Sequence, residues 1–112
     1  MQFSEHPSFA HDFKRLYKRF NSLEIDLGKI QKLLVKNPEG TDGRHWNVLH
    51  RFEAVMIFKT RMMCQYLRRG DLRIIYAYFP AENRIDFIEI YFKGDKETED
   101  QKRIKDYLNR CL

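Results

Sequence analysis

The sequence predicts an α+β fold, with an N-terminal helical hairpin packed on an antiparallel β-sheet and a C-terminal helix. Three observations support this. Apolar residues recur at helical spacing from residue 9 to residue 34. Three strand-like segments joined by short turns follow between residues 54 and 93. A helix-start signal and an apolar stripe then end the sequence. At 112 residues, the chain is expected to form one domain, residues 1–112.

The N-terminal part is predicted to begin with a short strand in "MQFSE", followed by two helices. Pro7 suits the first turn of a helix. One apolar face carries Phe9, Phe13, Leu16, Tyr17 and Phe20. A second helical face carries Leu23, Leu27, Ile30 and Leu34 and ends at about Lys36. The short break at Asn21 and Ser22 predicts that the two helices form a hairpin.

The segment "NPEGTDG", residues 37–43, is rich in turn formers and separates the helical part from a strand part. Residues 44–55 begin as either a loop or a short strand. Residues 54–62 alternate, which places Val55, Ile57, Lys59 and Arg61 on one face of a strand. Residues 72–79 are apolar enough for a central strand, and residues 84–93 alternate with Ile88, Ile90 and Phe92 on one face. Short turns make these three strands an antiparallel meander, with Gly70 available for a positive φ.

The final helix has a predicted start at Thr98. Thr98 and Gln101 have the spacing of a capping box, which would place Glu99 and Asp100 in the first turn. The apolar stripe consists of Ile104, Tyr107, Leu108 and Cys111.

Composition indicates an anionic partner. The net charge is +5 and the isoelectric point is about 9.3, which fits nucleic acid, an acidic protein or anionic lipid. No apolar run approaches the length of a membrane span, and the first residues lack a signal-peptide pattern. The two cysteines and four histidines show no metal-ligand spacing, so neither a metal nor a cofactor is expected. The cysteines are expected to be free thiols in a reducing cytosol.

Positive charge concentrates in the strand part, where residues 44 to 84 include eight basic and three acidic residues. Lys59 and Arg61 are two apart on one strand and therefore point the same way. In the simplest hairpin register, Arg73 reaches the same face. Like charges on one face repel, and an anion would relieve the repulsion. The alternative is that these cations extend into solvent.

A cluster of this kind suits cleavage of single-stranded RNA, whose 2′-hydroxyl is an internal nucleophile. The reaction needs a base, cations that hold the phosphate in the transition state, and an acid for the leaving 5′ oxygen. Arginine fits phosphate oxygens. Lys59 would serve as the base if neighbouring cations lowered its pKa. Four tyrosines are candidates for stacking on a base or for core packing: Tyr66, Tyr76, Tyr78 and Tyr91.

The sequence resembles the RelE/ParE superfamily of type II toxins. The resemblance rests on "IFKTR", "GDLRIIYAYF" and "IDFIEIYFKGDKETEDQKRIKDYL", together with "FAHDFKRLYKRF" at residues 9–20, and covers about residues 9–108. It implies a compact RelE-like α+β fold and a metal-independent endoribonuclease, or mRNA interferase, that cuts mRNA in the ribosomal A site. It further implies a cytoplasmic toxin whose partners are mRNA, the ribosome and a cognate antitoxin that covers the active site.

Positions that match the RelE-type site are Lys59 and Arg61 on one strand and Arg73 at the start of the next. The family's arginine and tyrosine after the last strand are missing. Lys93 or Lys96 would take over the charge role there, and the general acid stays open. Arg68 and Arg69 would contact RNA backbone or simply solvate the hairpin, and Arg51 is a further candidate for RNA binding.

Two alternatives stay open. The chain could be a ParE-like toxin directed at DNA gyrase, or a catalytically inactive homologue that binds an antitoxin. The presence of Lys59, Arg61 and Arg73 favours the RNA-cleaving activity, since ParE-type members lack those cations.

Overall fold

The computed structural model describes residues 1–41, 45–67 and 71–111. In these residues, the alternating and helical apolar patterns form five strands and three helices. The strands are β1 (Gln2–Glu5), β2 (Trp46–Arg51), β3 (Met56–Met62), β4 (Leu72–Phe79) and β5 (Arg84–Phe92). The helices are α1 (Pro7–Tyr17), α2 (Leu23–Lys36) and α3 (Gln101–Cys111). A 3-10 turn, Pro80–Glu82, connects β4 to β5 through Asn83, which adopts a left-handed conformation at φ 49°.

The five strands form one sheet in the order β1-β5-β4-β3-β2. The predicted meander is its centre, since β3–β4 and β4–β5 pair in antiparallel fashion. β2, whose start the sequence left open, pairs antiparallel with β3 at one edge. β1 pairs in parallel with β5 at the other edge, so the expectation of a wholly antiparallel sheet was wrong there.

Strand alternation divides the core between the two faces of the sheet. The first face packs against α1 and α2, with Phe58, Ile74 and Phe87 among its buried side chains. The second face packs against α3 through Ile57, Ile75 and other residues. Even positions of β3 and β4 therefore face α1 and α2, whereas odd positions face the side that α3 covers.

Both N-terminal helices are confirmed, and most of each predicted stripe is buried or partly buried. Tyr17 is the exception, since it is exposed. Pro7 occupies the first turn of α1, and the His6 ring accepts a hydrogen bond from the Ser8 N–H at 3.2 Å. α2 ends at Lys36, as predicted. The helices lie on the same face of the sheet, and their proposed arrangement as a hairpin stays a prediction.

The start of α3 differs from the prediction. Asp100, not Thr98, caps the helix, because its carboxylate accepts a hydrogen bond from the Arg103 N–H at 3.0 Å. The Thr98 hydroxyl instead donates to Glu99 at 3.0 Å. Glu99 and Asp100 consequently precede the helix, which begins at Gln101.

The alternation predicted for β5 is wrong at Ile88, because the strand contains a β-bulge there. The register shifts between Ile75 and Tyr76, which pair with Glu89 and Phe87, so Ile88 is the extra residue. Ile88 therefore belongs to the core on the α3 side, while Ile90 faces α1 and α2. Without this bulge, the Glu89 side chain would point into the core between the sheet and helices α1 and α2.

Residues 42–44 and 68–70 fall outside the described residues, and so does Leu112. The predicted positive φ of Gly70 lies in this part. Within the described residues, no helix is long and apolar enough to cross a membrane.

Gly40 provides a test of the packing around Trp46. Its φ is 60°, and an added Cβ would lie 2.1 Å from the Trp46 ring. That ring is fixed because its N–H donates to the Tyr76 hydroxyl at 2.9 Å. We expect Gly40→Ala to lower the free energy of unfolding by about 1–3 kcal/mol, measured by urea denaturation.

Gly28→Ala is the matched control. Gly28 lies inside α2, and an added Cβ would meet nothing within 4 Å. The free energy of unfolding of this variant should be about 0.5–1 kcal/mol higher than that of the parent, since alanine is the better helix former. A Gly40→Ala protein at least as stable as the parent would contradict the packing described.

Candidate functional site

Four side chains form a line across the sheet, which we call the arginine row: His45, Arg61, Arg73 and Tyr91. Arg61 of β3 lies directly opposite Arg73 of β4, and Arg73 lies opposite Tyr91 of β5. His45 extends the row at the β2 edge, where its carbonyl accepts a hydrogen bond from the Arg61 N–H at 3.3 Å. Side chains of directly opposed residues are near neighbours, so the Arg61 and Arg73 side chains leave the sheet next to each other on this face.

The adjacent lysine row contains Asn47, Lys59, Ile75 and Glu89, again by direct strand pairing. Lys59 and Arg61 are therefore on the same face as Arg73, as predicted from their spacing. The half-buried side chain of Lys59 donates to Glu99 with an Nζ–Oε1 distance of 2.7 Å. The cation is thus held by an acid from the segment before α3.

Glu99 is a buried carboxylate, 7% exposed. Its second oxygen accepts from the Gln101 amide at 2.7 Å. Burial acts to raise the pKa of Glu99, but hydrogen bonds from Lys59 and Thr98 outweigh it, and the pKa is lowered. Glu99 is consequently ionised when Lys59 is charged, and the two form an ion pair on the basic face.

A second acid, Glu89, lies beside the first. It is 1% exposed, and its carboxylate forms an ion pair with Lys96. The other Glu89 oxygen accepts from the Asp100 N–H at 2.9 Å. These contacts attach the segment between β5 and α3 to the sheet and bring Lys96 onto the same face.

Tyr91 closes the arginine row. It is 2% exposed, and its hydroxyl finds no hydrogen-bond partner among the described residues. Burial, followed by the nearby charges of Glu99 and Glu89, raises the pKa of Tyr91 to about 12, and Arg73 opposes the shift. The Lys96 ammonium lies 5.2 Å from the centre of the Tyr91 ring.

The structure does not bring every candidate residue together. Arg51 pairs with Met56 at the far end of β3, five residues before Arg61, and this separation is about 16 Å along the strand. The Arg51 guanidinium lies 3.8 Å from the Glu39 carboxylate. Lys93 is exposed just after β5, and its N–H donates to the Asp71 carbonyl at 2.8 Å. Arg68 and Arg69 lie outside the described residues.

Sequence reasoning missed the two buried acids and His45. Glu89 interrupts the apolar run of β5, which is a usable signal for a buried charge. Glu99 was assigned only to the helix dipole, because its contact with Lys59 spans 40 residues. His45 was considered only as a metal ligand. In the described part of the chain, no group of three or more acidic, histidine or cysteine side chains could hold a metal ion.

The Lys59–Glu99 pair predicts a pH-dependent contribution to stability. We expect Glu99→Gln to lower the free energy of unfolding by about 1–3 kcal/mol at neutral pH, because it leaves the Lys59 charge without its acceptor. A lowered pKa in the folded state stabilises above the ordinary value of 4.5, and this contribution is lost as pH falls through the folded-state pKa. Urea denaturation across pH measures the difference.

The exposed residue Glu97, two positions away, provides the control. The free energy of unfolding of Glu97→Gln should differ from that of the parent by no more than about 0.5 kcal/mol. A constant difference between parent and Glu99→Gln down to the most acidic pH would contradict the ion pair.

Comparison with known proteins gives a structural match. No family model matches the chain, and no curated protein matches it. The chain is similar to one in the crystal structure of the archaeal RelE–RelB complex from Pyrococcus horikoshii OT3, with a TM-score of 0.61 and 15% sequence identity. The match covers 83% of this chain and 94% of that one. The protein therefore has a RelE-like fold.

Proposed function

We propose that this protein is the toxin of a type II toxin–antitoxin pair and an endoribonuclease that cuts mRNA on the ribosome. The observation that carries the proposal is the direct opposition of Arg61 and Arg73, with Lys59 on the same face. The RelE-like fold supports it. Its place of action would be the cytoplasm, with the translating ribosomes.

The phosphate of the cut linkage would lie between the two guanidinium groups. Attack by the 2′-oxygen places additional negative charge on the phosphate oxygens, and fixed donors there stabilise the transition state. Arginine donates through a planar fork that fits two phosphate oxygens. An anion bound between Arg61 and Arg73 would accept from both side chains, so the site would favour the charge that develops during the reaction.

Lys59 receives a different role from the one predicted. Lys59 could act as the base only if neighbouring cations made its ammonium lose a proton easily. The ammonium instead forms an ion pair with Glu99, which favours the charged form. We assign Lys59 as a third cation, held in place by Glu99, that can donate a proton to the leaving 5′ oxygen. Lys96 and Lys93 would add positive charge at the margin of the face, and Arg68, Arg69 and Arg51 are kept as candidate contacts to RNA backbone.

The arginine pair gives the first test. We expect Arg61→Ala with Arg73→Ala to reduce mRNA cutting at least about 1000-fold, since each phosphate donor contributes roughly 2.7–4 kcal/mol. Cell-free translation followed by mapping of mRNA ends measures the cutting.

The control removes equal charge from another surface, through Lys14→Ala in α1 together with Lys18→Ala directly after it, both exposed. It should cut like the parent. Undiminished cutting by the folded arginine variant would refute the assigned site. A parent protein that leaves mRNA intact and blocks gyrase supercoiling would favour the ParE-like alternative.

The proposed partner gives a second test. An antitoxin that covers the basic face would bind partly by charge, so its affinity should fall as salt rises from 0.1 to about 0.5 M. Titration calorimetry with the product of the adjacent gene measures this. The salt dependence should weaken in the Arg61→Ala, Arg73→Ala protein, whereas an unchanged dependence would place the antitoxin elsewhere.

A further inference from the structure

The arginine row contains one group able to take a proton near the proposed phosphate site, the imidazole of His45. Its Nε2 lies 3.3 Å from Nη1 of Arg61. The backbone of the same residue is fixed by the hydrogen bond from the Arg61 N–H to its carbonyl. The ring is therefore held at the exposed end of the row, next to a guanidinium assigned to the phosphate.

The chemistry of arginine determines the state of this imidazole. A guanidinium group only donates hydrogen bonds and stays charged at working pH. Nε2 of His45 must accordingly be the acceptor, with its lone pair directed at Arg61 and the ring proton on Nδ1. A neutral imidazole in this state is a base, not an acid.

Charged groups from two elements lie around His45. Among the described residues, Arg61 of β3 contacts the ring, and Asp26 and Lys29 of α2 line the same groove of about 440 Å³. The Asp26 carboxylate accepts from the Ser22 hydroxyl at 2.7 Å and from the Gln65 N–H at 3.2 Å. These two contacts engage the Asp26 carboxylate.

We propose that His45 is the general base of the RNA cleavage. When RNA binds, the Arg61 guanidinium turns from Nε2 to the phosphate and releases the Nε2 lone pair. Nε2 then takes the proton of the 2′-hydroxyl, the 2′-oxygen forms a bond to phosphorus, and the bond from phosphorus to the 5′ oxygen breaks. The 5′ oxygen takes a proton from the Lys59 ammonium. The products are a 2′,3′-cyclic phosphate and a 5′-hydroxyl end. This inference rests on the proposed function and adds the group that the lysine assignment lacked.

Three variants at one position test the role. His45→Ala should reduce mRNA cutting about 100-fold or more, the usual contribution of a general base. His45→Gln keeps an acceptor for Arg61 but cannot take a proton, so it should be equally slow. Added imidazole should restore cutting by His45→Ala, and the restored rate should follow the neutral form of imidazole as pH changes. His11→Ala, an exposed histidine on α1, should cut like the parent.

A substrate with a changed leaving group separates a general base from a general acid. An mRNA with sulfur in place of the 5′ oxygen at a mapped cutting position has a leaving group that needs no acid. His45→Ala should cut this mRNA slowly as well, because the substrate replaces the need for an acid and not the need for a base.

Several outcomes would overturn the assignment. These are parent-like cutting by folded His45→Ala, restored cutting by His45→Gln, no restoration by imidazole, or restoration by the sulfur substrate. In each of these the parent still cuts mRNA, so the proposed function stands and the base assignment alone fails. A parent protein without any cutting would overturn both.

Discussion

The register between β3 and β4 is the constraint on which the candidate site depends. It places two permanently charged guanidinium groups opposite each other, at a point where an apolar pair would stabilise the sheet better. A shift by one residue would turn every side chain of a strand to the other face and bury these cations against α1 and α2. The apolar residues at alternate positions of β3 prevent that shift, because they fill the core on that side. Core packing and charge placement therefore specify the same register.

The segment between β5 and α3 gives this basic face its own counter-charges. Glu99 pairs with Lys59 and Glu89 pairs with Lys96, while both arginines lie in the neighbouring row. The two acids keep the lysines in place and lower the local charge. The face thus combines fixed ion pairs with a pair of guanidinium groups that an anion would stabilise. The bulge at Ile88 is what turns Glu89 toward this face.

Local patterns predicted most of the fold, because amphipathic period and turn residues act over a few positions. The ends of α2, the three central strands and the shared face of Lys59, Arg61 and Arg73 follow from such patterns. Contacts distant in sequence did not follow. The parallel pairing of β1, the bulge in β5 and the capping by Asp100 depend on tertiary packing or on competition between adjacent side chains. The same limit hid Glu99 and His45, whose importance arises from partners 40 and 16 residues away.

β1 has a consequence for the order in which the chain acquires its structure. Its residues pair with Arg84 to Phe87, so the first strand cannot join the sheet until the last strand has been synthesised. During translation its backbone groups must stay hydrated or form temporary contacts, and the closing of this edge is a late, high-contact-order step. The sheet that aligns the cations is thus completed only when nearly the whole polypeptide is available, which delays maturation of the charged face until synthesis is almost finished.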